Sequence, residues 1–428
     1  MEYFEIQGGA VAEGYITPSG NKNEALPVLA AALLADGPVT LHNVPDILDV
    51  RIMLEIMEFM GVSTTRSAPN TLTITAGALT DKPLDRALCS RIRTSILFAG
   101  PLLARFGKVI LPPPGGDIIG RRRVDTHFFG FSQLGAQYSV DANGYRISAQ
   151  KLTGADIHLD EASVTATENI VMAAVRANGR STIYNAACEP HVQGLCRFLN
   201  GMGAHIEGIG TNRLVIDGVS HLSGTIHTIG PDYIEAGSFI ALAALTGGSI
   251  TIRDTAPHHL RKVLYTFSTL GIETEIRGED IFVPRHGRLV MKKEMHNAIP
   301  KIDDGPWPAF PSDLMSIAIV VASQSEGTVL FFEKMFESRL FFVDRLIEMG
   351  AQIILCDPHR VVVSGHSALY GTTLESPDIR AGMALLIAAI AAKGRSRINN
   401  VRQIDRGYEQ IDGKLSKIGI TIDRCALK

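Results

Sequence analysis

What the sequence has little of narrows its class. Its five cysteines (Cys89, Cys188, Cys196, Cys356 and Cys425) are odd in number and widely scattered, and none forms a CxxC-type pair. Neither a disulfide framework nor a thiolate metal centre is therefore expected, and the thiols read as reduced and mostly buried. Charge of one sign is also missing: 41 basic against 44 acidic residues leave a net charge of −3, so no overall field favours nucleic acid or an anionic membrane. The only dense basic run, Arg121-Arg122-Arg123, is too short for a nucleic-acid arm. No apolar run is long enough for a bilayer: the most apolar segment, 381–392, falls well short of the roughly 20 residues a spanning helix needs. The opening MEYFEIQGG lacks a basic start followed by an apolar stretch, so no secretion signal is expected and the location reads as cytoplasmic. What remains is an ordinary globular composition, 46% hydrophobic and 20% charged, on a chain of 428 residues, enough for two to three well-buried domains.

Two features recur in step along this chain. The first is a glycine leading into a β-rich run: DGPVTLHNV, FGKVILPPP, NGRSTIYNA, GGSITIRDT, EGTVLFFEK and KGRSRINNV, with glycines at Gly37, Gly107, Gly179, Gly247, Gly327 and Gly394. The second is an apolar helix ending in a glycine and followed by an alternating strand: MEFMGVSTT, FSQLGAQYSV, FLNGMGAHIEG, FSTLGIETEI, IEMGAQIIL and LSKIGITIDR, with glycines at Gly61, Gly135, Gly203, Gly271, Gly350 and Gly419. Six such pairs in phase, spaced roughly seventy residues apart, indicate six copies of one structural unit. Each unit reads as helix, glycine turn, strand, helix, glycine cap and strand pair. The first helix of each is apolar all round (ALPVLAAALLA, SILFAGPLLARF, NIVMAAVRA, SFIALAALT, MSIAIVVAS, AGMALLIAAIAA), and such a helix must be buried. The expected fold is α/β with the helices inside and the strands around them. The clearest midpoint is Gly230-Pro231, which gives two three-unit domains with a cleft and a hinge between them.

Polar residues gather where these buried helices begin: Lys22-Asn23, Arg93-Thr94-Ser95, Thr167-Glu168, Tyr233 and Glu235, Ser312-Asp313, and Asp378 with Arg380. Loops after the first strands add Asp117, Arg122, Glu189, His191, Arg339 and Asp405-Arg406. Helix capping accounts for Thr167, Ser312 and Asp378, since side-chain oxygens satisfy orphan amides. It does not account for Lys22, Arg93 and Arg380, because cations oppose the positive end of a helix dipole. Helix N-termini with arginines around them make an anion site suited to phosphate and carboxylate. Glu189 reads as a structural cap or ion pair, His127 and His191 as satisfied histidines, and Trp307 as a residue that shapes its own loop. The loop PPPGGDIIGRRR carries an acid and three arginines on a Pro- and Gly-rich backbone, which suits a mobile lid over 112–123.

SGNKNEALP (19–27), RTSI (93–96), GGDIIGRRRVDTH (115–127), SVTATENI (163–170), PAFPSD (308–313), FESR (336–339), PDIR (377–380) and IDRGYE (404–409) follow one another in this order. Together they resemble the UDP-N-acetylglucosamine enolpyruvyl transferases over essentially the whole chain. The resemblance implies two inside-out α/β barrels made of the six units. The first domain would span 21–230, with acceptor binding and the lid; the second would combine 1–20 with 231–428 and carry the base and the phosphate clamp. It further implies transfer of the enolpyruvyl group of phosphoenolpyruvate to the 3-hydroxyl of UDP-N-acetylglucosamine, with no cofactor, no metal, and no nucleic-acid or membrane partner. Enolpyruvyl transfer needs an acid at the methylene carbon, a base at the attacking hydroxyl, and cations around phosphate and carboxylate.

By the same resemblance Asp117 is the lid acid, and Lys22, Arg122 and Arg406 surround phosphoenolpyruvate with Arg339 and Arg380 nearby. Asp313 is the candidate base, and Asp378 positions the lysine and assists proton transfer. Asn23, Arg93, Arg122, Arg123, Val124, Asp125, Thr126, Ser163, Val164 and Met335 occupy acceptor positions. The sequence departs from the family pattern at four places. The lid acid, commonly cysteine, is Asp117, which implies insensitivity to fosfomycin-type epoxides. The proline of the usual RPVDL is Arg123, a lysine near the nucleotide phosphates is Glu161, and the glycine after Ser-Val is Thr165. Two other readings stand beside this one: the same chemistry on another nucleotide or modified-sugar acceptor, and a non-catalytic paralogue that binds nucleotide sugars.

Overall fold

The computed structural model describes residues 2–117, 119–120 and 122–426. Six buried helices organise it: α1 (Lys22–Ala31), α2 (Ala99–Phe106), α3 (Val164–Ala174), α4 (Tyr233–Thr246), α5 (Met315–Gln324) and α6 (Ile379–Ala391). In α4 and α6 almost every side chain is buried, as a helix apolar on all faces requires. The six closing glycines, Gly61, Gly135, Gly203, Gly271, Gly350 and Gly419, all take φ between +93° and +109°, the left-handed conformation that stops a helix. Five of the six glycines of the other series also have positive φ; Gly37 does not, and it is confined by the backbone of Gly224 instead.

Each buried helix is followed by a small sheet, six in all among the described residues, five of four strands and one of three. The pattern is regular where one unit is self-contained. The strand Asp156–His158 enters α3, and Arg180–Tyr184 leaves it parallel to that strand and antiparallel to Arg213–Asp217. Two strands break this rule reciprocally. Gly14–Ile16 precedes α1 yet pairs with Ile250–Ile252 after α4, whereas Ile226–Thr228 precedes α4 yet pairs with Val39–His42 after α1. The sixth sheet is completed by the N-terminal strand Glu2–Gln7, inserted between Arg395–Asn399 and Ile422–Ala426. These exchanges give two compact units: one formed by Met1–Ser19, Ile118–Arg121 and Pro231–Lys428, the other by Gly20–Asp117 and Arg122–Gly230.

Each unit has its own hydrophobic core. In the first, α4, α5 and α6 pack against one another, with Phe239, Phe267, Phe310 and Phe331 fully buried. In the second, α2 packs on α3 and the 3-10 turn Arg93–Phe98 packs on both α1 and α3. The architecture is thus α/β and inside-out, with apolar helices central and sheets outside. The thiols correct one expectation: only Cys89 and Cys196 are buried, Cys188 and Cys425 are half-buried and Cys356 is exposed.

Candidate active site

In the unit from Gly20 to Gly230, helix α1 begins under an Asn21 cap whose Oδ1 accepts from the amides of Asn23 and Glu24. Lys22 is its first residue, and its ammonium sits where the helix dipole is unfavourable. Asp49 compensates: Lys22 Nζ lies 2.8 Å from Asp49 Oδ2, and both side chains are buried. Asn23 follows on the same turn.

Arg93 starts the turn that leads into α2, and its Nη2 donates to the carbonyls of Arg122 (2.7 Å) and Arg123 (3.3 Å). Burial pushes this guanidinium below its ordinary value. The Gly115-Gly116 pair also lies against this turn. A Cβ on Gly115 would stand 1.8 Å from the Ser90 carbonyl oxygen, and one on Gly116 would stand 2.7 Å from Arg93 Cβ. Those glycines therefore permit close approach of backbone to backbone, besides the positive φ of +111° at Gly116. Asp117 follows directly. Of the expected lid 112–123, Ile118 and Arg121 lie outside the described residues.

Val124 is the N-cap position of the helix Asp125–Gln133, whose first two residues are Asp125 and Thr126. Arg123 Nε meets Asp125 Oδ2 at 2.8 Å in the open, and Thr126 Oγ1 donates to Asp160 at 2.7 Å. Beneath them His127 is buried. Its Nδ1 is 2.9 Å from Asn169 Nδ2, an amide donor, so Nδ1 accepts and Nε2 carries the proton, 3.2 Å from Thr165 Oγ1. Thr165, a departure from the family glycine, is thus engaged by a core histidine. Ser163 takes the N-cap position of α3 and Val164 is that helix's first residue.

In the other unit, Asp313 is the middle residue of the turn Ser312–Leu314 that leads into α5, and two arginines grip it. Arg339 Nη2 lies 3.1 Å from Oδ1, while Arg380 Nη2 and Nε lie 2.9 and 3.1 Å from Oδ2. Both arginines are nearly fully buried, whereas Asp313 is 28% exposed. Burial alone would lower Arg380; the charge of Asp313, then that of Tyr408, outweighs it and holds the guanidinium well above its usual value. Asp378 caps α6, its Oδ1 accepting from the amides of Arg380 and Ala381. Arg406 donates to Gln403 Oε1 at 3.0 Å, and Met335 is 37% exposed.

Two capping expectations need correction, and of the two readings of Glu189 the cap is not met. Thr167 lies inside α3, where its hydroxyl donates to the Ser163 carbonyl and accepts from the Ala187 amide. Ser312 follows the capping position and donates to Glu333 instead. Glu189 stands at the start of the helix Pro190–Gly201 but makes no side-chain cap bond. It faces the fully buried Glu168, whose carboxyl is pushed well above the usual range by burial and then by Glu189. Trp307 meets the rings of Tyr233 and His259 edge-on. Sequence reasoning missed Asp49, which lies in the first turn of the helix Leu48–Phe59 rather than at the start of a buried one, and Asp304 and Glu333, which directly follow strands. Among the described residues no three His, Cys, Asp or Glu side chains form a metal-binding group, and no helix is long and apolar enough to cross a membrane.

These charged helix starts coincide with a family match. The family model for EPSP synthase (3-phosphoshikimate 1-carboxyvinyltransferase) matches residues 6–415. The UDP-N-acetylglucosamine 1-carboxyvinyltransferase of Borreliella burgdorferi is 54% identical over 424 residues, 99% of either chain. Those of Treponema denticola and Bradyrhizobium diazoefficiens are each 53% identical, over 99% and 98% of this chain and 99% and 97% of their own. Among solved structures, the enolpyruvyl transferase NikO from Streptomyces tendae superposes with a TM-score of 0.88 at 23% identity, covering 100% of this chain and 99% of that one. The EPSP synthase of Acinetobacter baumannii gives 0.75 at 19%, covering 100% of both. At those identities the two structures establish the fold alone. The chain belongs to the EPSP synthase family and, within it, groups with the UDP-N-acetylglucosamine 1-carboxyvinyltransferases.

Proposed function

We propose that the protein is a cytoplasmic enzyme that transfers the enolpyruvyl group of phosphoenolpyruvate to the 3-hydroxyl of UDP-N-acetylglucosamine and releases phosphate, the first committed step of peptidoglycan synthesis. The observation that carries the chemistry is Asp313, a part-exposed carboxylate fixed at a helix start by two buried arginines. Such a group can hold a hydroxyl and accept its proton beside cations suited to phosphate and carboxylate. The acceptor is supported by the relatives named for it at 53–54% identity over nearly the whole chain.

In this reading the acceptor hydroxyl adds to the phosphate-bearing carbon, its proton passing to Asp313 while Asp117 protonates the methylene carbon. The tetrahedral adduct then expels phosphate, which leaves with the proton from Asp313, and the new methyl group returns a proton to Asp117. Lys22, Arg122 and Arg406, with Arg339 and Arg380, offset the charge of the substrate and of the departing phosphate. Asp378 fixes the start of α6 and hence Arg380. Asn23, Arg93, Arg123, Val124, Asp125, Thr126, Ser163, Val164 and Met335 receive the nucleotide sugar. Of the four departures from the family pattern, Asp117 keeps the role of the lid acid, and Arg123, Glu161 and Thr165 bear on the acceptor end, where Arg123 pairs with Asp125 and Thr165 with His127. Phosphate release from phosphoenolpyruvate is to be measured with UDP-N-acetylglucosamine, other UDP-sugars, UMP and shikimate 3-phosphate. Release with UDP-N-acetylglucosamine is expected; release only with another acceptor, or with none, overturns the assignment.

A further inference from the structure

Behind the Asp313 cluster lies a second group of acids. Glu333 is fully buried just after the strand Gly327–Phe332. Its Oε1 accepts from the amides of Met335 and Phe336, both at 3.1 Å, and Ser312 Oγ stands 3.0 Å from each of its carboxyl oxygens. Asp304, 2% exposed, lays its carboxyl against that of Glu333. Asp304 Oδ1 accepts from the Lys334 amide at 2.6 Å, but Oδ2 is buried and meets no donor. Two carboxylates in contact, one with a donorless buried oxygen, are a high-energy arrangement unless a proton stands between them. Charge counting points the same way. Asp304, Glu333 and Asp313 face Arg339 and Arg380, so one proton on the acid pair makes the buried group neutral.

We propose that Glu333 and Asp304 share one proton, and that this proton keeps Arg339 committed to Asp313, making both acids positioning residues of the site. Arg339 connects the two groups: Nη2 is 3.1 Å from Asp313 Oδ1, while Nε is 3.9 Å from Glu333 Oε2 and makes no hydrogen bond. With the acid pair protonated, Asp313 is the stronger attraction for the guanidinium. Loss of the proton places a second full negative charge on the Glu333 side, and Nε closes on Oε2 at the expense of Asp313. The other groups facing the pair are His359, whose Nδ1 is 2.7 Å from the Glu333 carbonyl oxygen, and Lys334, whose ammonium is held by Asp303. Neither reaches the Asp304 Oδ2 position. Burial first, then the contact with Asp304, pushes Glu333 up to about 8, which places the loss of the proton at mildly alkaline pH.

The role in turnover rests on the proposed function; the shared proton does not. Difference infrared spectroscopy of the whole protein tests the proton alone. After subtraction of the spectra of Asp304→Asn and Glu333→Gln, both of which keep the buried Glu168 carboxyl, a protonated-carboxyl C=O band of the unaltered protein should remain at pH about 6 and fade by about 9. Each amide supplies a permanent N–H donor where the proton was. The pH profile of kcat/KM tests the positioning. In Glu333→Gln, turnover at neutral pH should stay close to that of the unaltered protein, and the alkaline limb should move up by at least about one unit, roughly a tenfold advantage at pH 9. Lack of the infrared band in the unaltered protein overturns the shared proton. Uniformly lowered turnover in Glu333→Gln with an unmoved limb overturns the positioning role and leaves the residue merely structural. Failure of every form to release phosphate, with the band still present and titrating, overturns the proposed reaction and retains the shared proton.

Discussion

Protonation of His127 is expected to undo the unit that holds the acceptor segment, and its size follows from the geometry. The ring is fully enclosed, with Nδ1 accepting from Asn169 and Nε2 next to Thr165. A second ring proton would face an Asn169 amide hydrogen, and that amide cannot turn round because its other hydrogen is committed to the carbonyl of Ile96 and its oxygen to the amide of Gly100. Burial, and then the charge of Arg93, lowers the imidazole from 6.5 to about 3. Because the folded value is depressed, the folded state binds fewer protons than the unfolded chain between about 3 and 6.5. The stability contributed is therefore complete above about 6.5 and is lost as pH falls towards about 3. A shift of that size corresponds to roughly 4–5 kcal/mol over the window, at up to ~1.4 kcal/mol per pH unit. The assay is urea unfolding of the unaltered protein and of His127→Gln at several pH values from about 4 to 7, with imidazole nitrogen resonances followed alongside. His127→Gln should be less stable at pH 7 yet show a flatter decline in acid, and the His127 ring should stay neutral down to about pH 4. Parallel stability profiles, or a His127 titration near 6.5, would refute the reasoning.

Three further outcomes are expected. Lys22→Ala and Arg406→Ala should each fold and lose most turnover, since one such electrostatic contact is typically worth about 3–4 kcal/mol in the barrier; near-normal phosphate release by either folded variant would place the substrate phosphate elsewhere. Asp49→Asn removes a buried negative charge 2.8 Å from the Lys22 ammonium, so thermal unfolding should register a loss of up to about 3–5 kcal/mol. The unaltered protein should resist covalent inactivation by fosfomycin-type epoxides, because a carboxylate is a poorer nucleophile than a thiolate, and Asp117→Cys should remain active and become sensitive. Mass spectrometry for an adduct decides that point, and a time-dependent adduct on the unaltered protein would refute it.

The fold was legible because its determinants are local and repeated. A helix apolar on every face can only be buried, and a glycine that ends a helix at positive φ needs no knowledge of the rest of the chain. Six repetitions of those signals define the α/β units, and all six closing glycines take the expected conformation. The charged helix starts could be read in the same way, as cations standing at the wrong end of a dipole. The capping assignments fared less well. Thr167 and Ser312 belong to residue types that cap, but tertiary neighbours at Ala187 and Glu333 claim their hydroxyls.

What only the tertiary structure decided are the pairings between residues far apart in the chain. Nothing in the local pattern of Gly14–Ile16 or Ile226–Thr228 says that the two strands exchange places, because a short strand's sequence specifies its faces and leaves its partner open. Nor could spacing show that Asp49 neutralises Lys22, that Asn169 fixes the tautomer of His127, or that Asp304 presses against Glu333. Periodicity encodes which residues are buried; the protonation state of a buried group depends on the one or two atoms it meets there, and long-range packing chooses those.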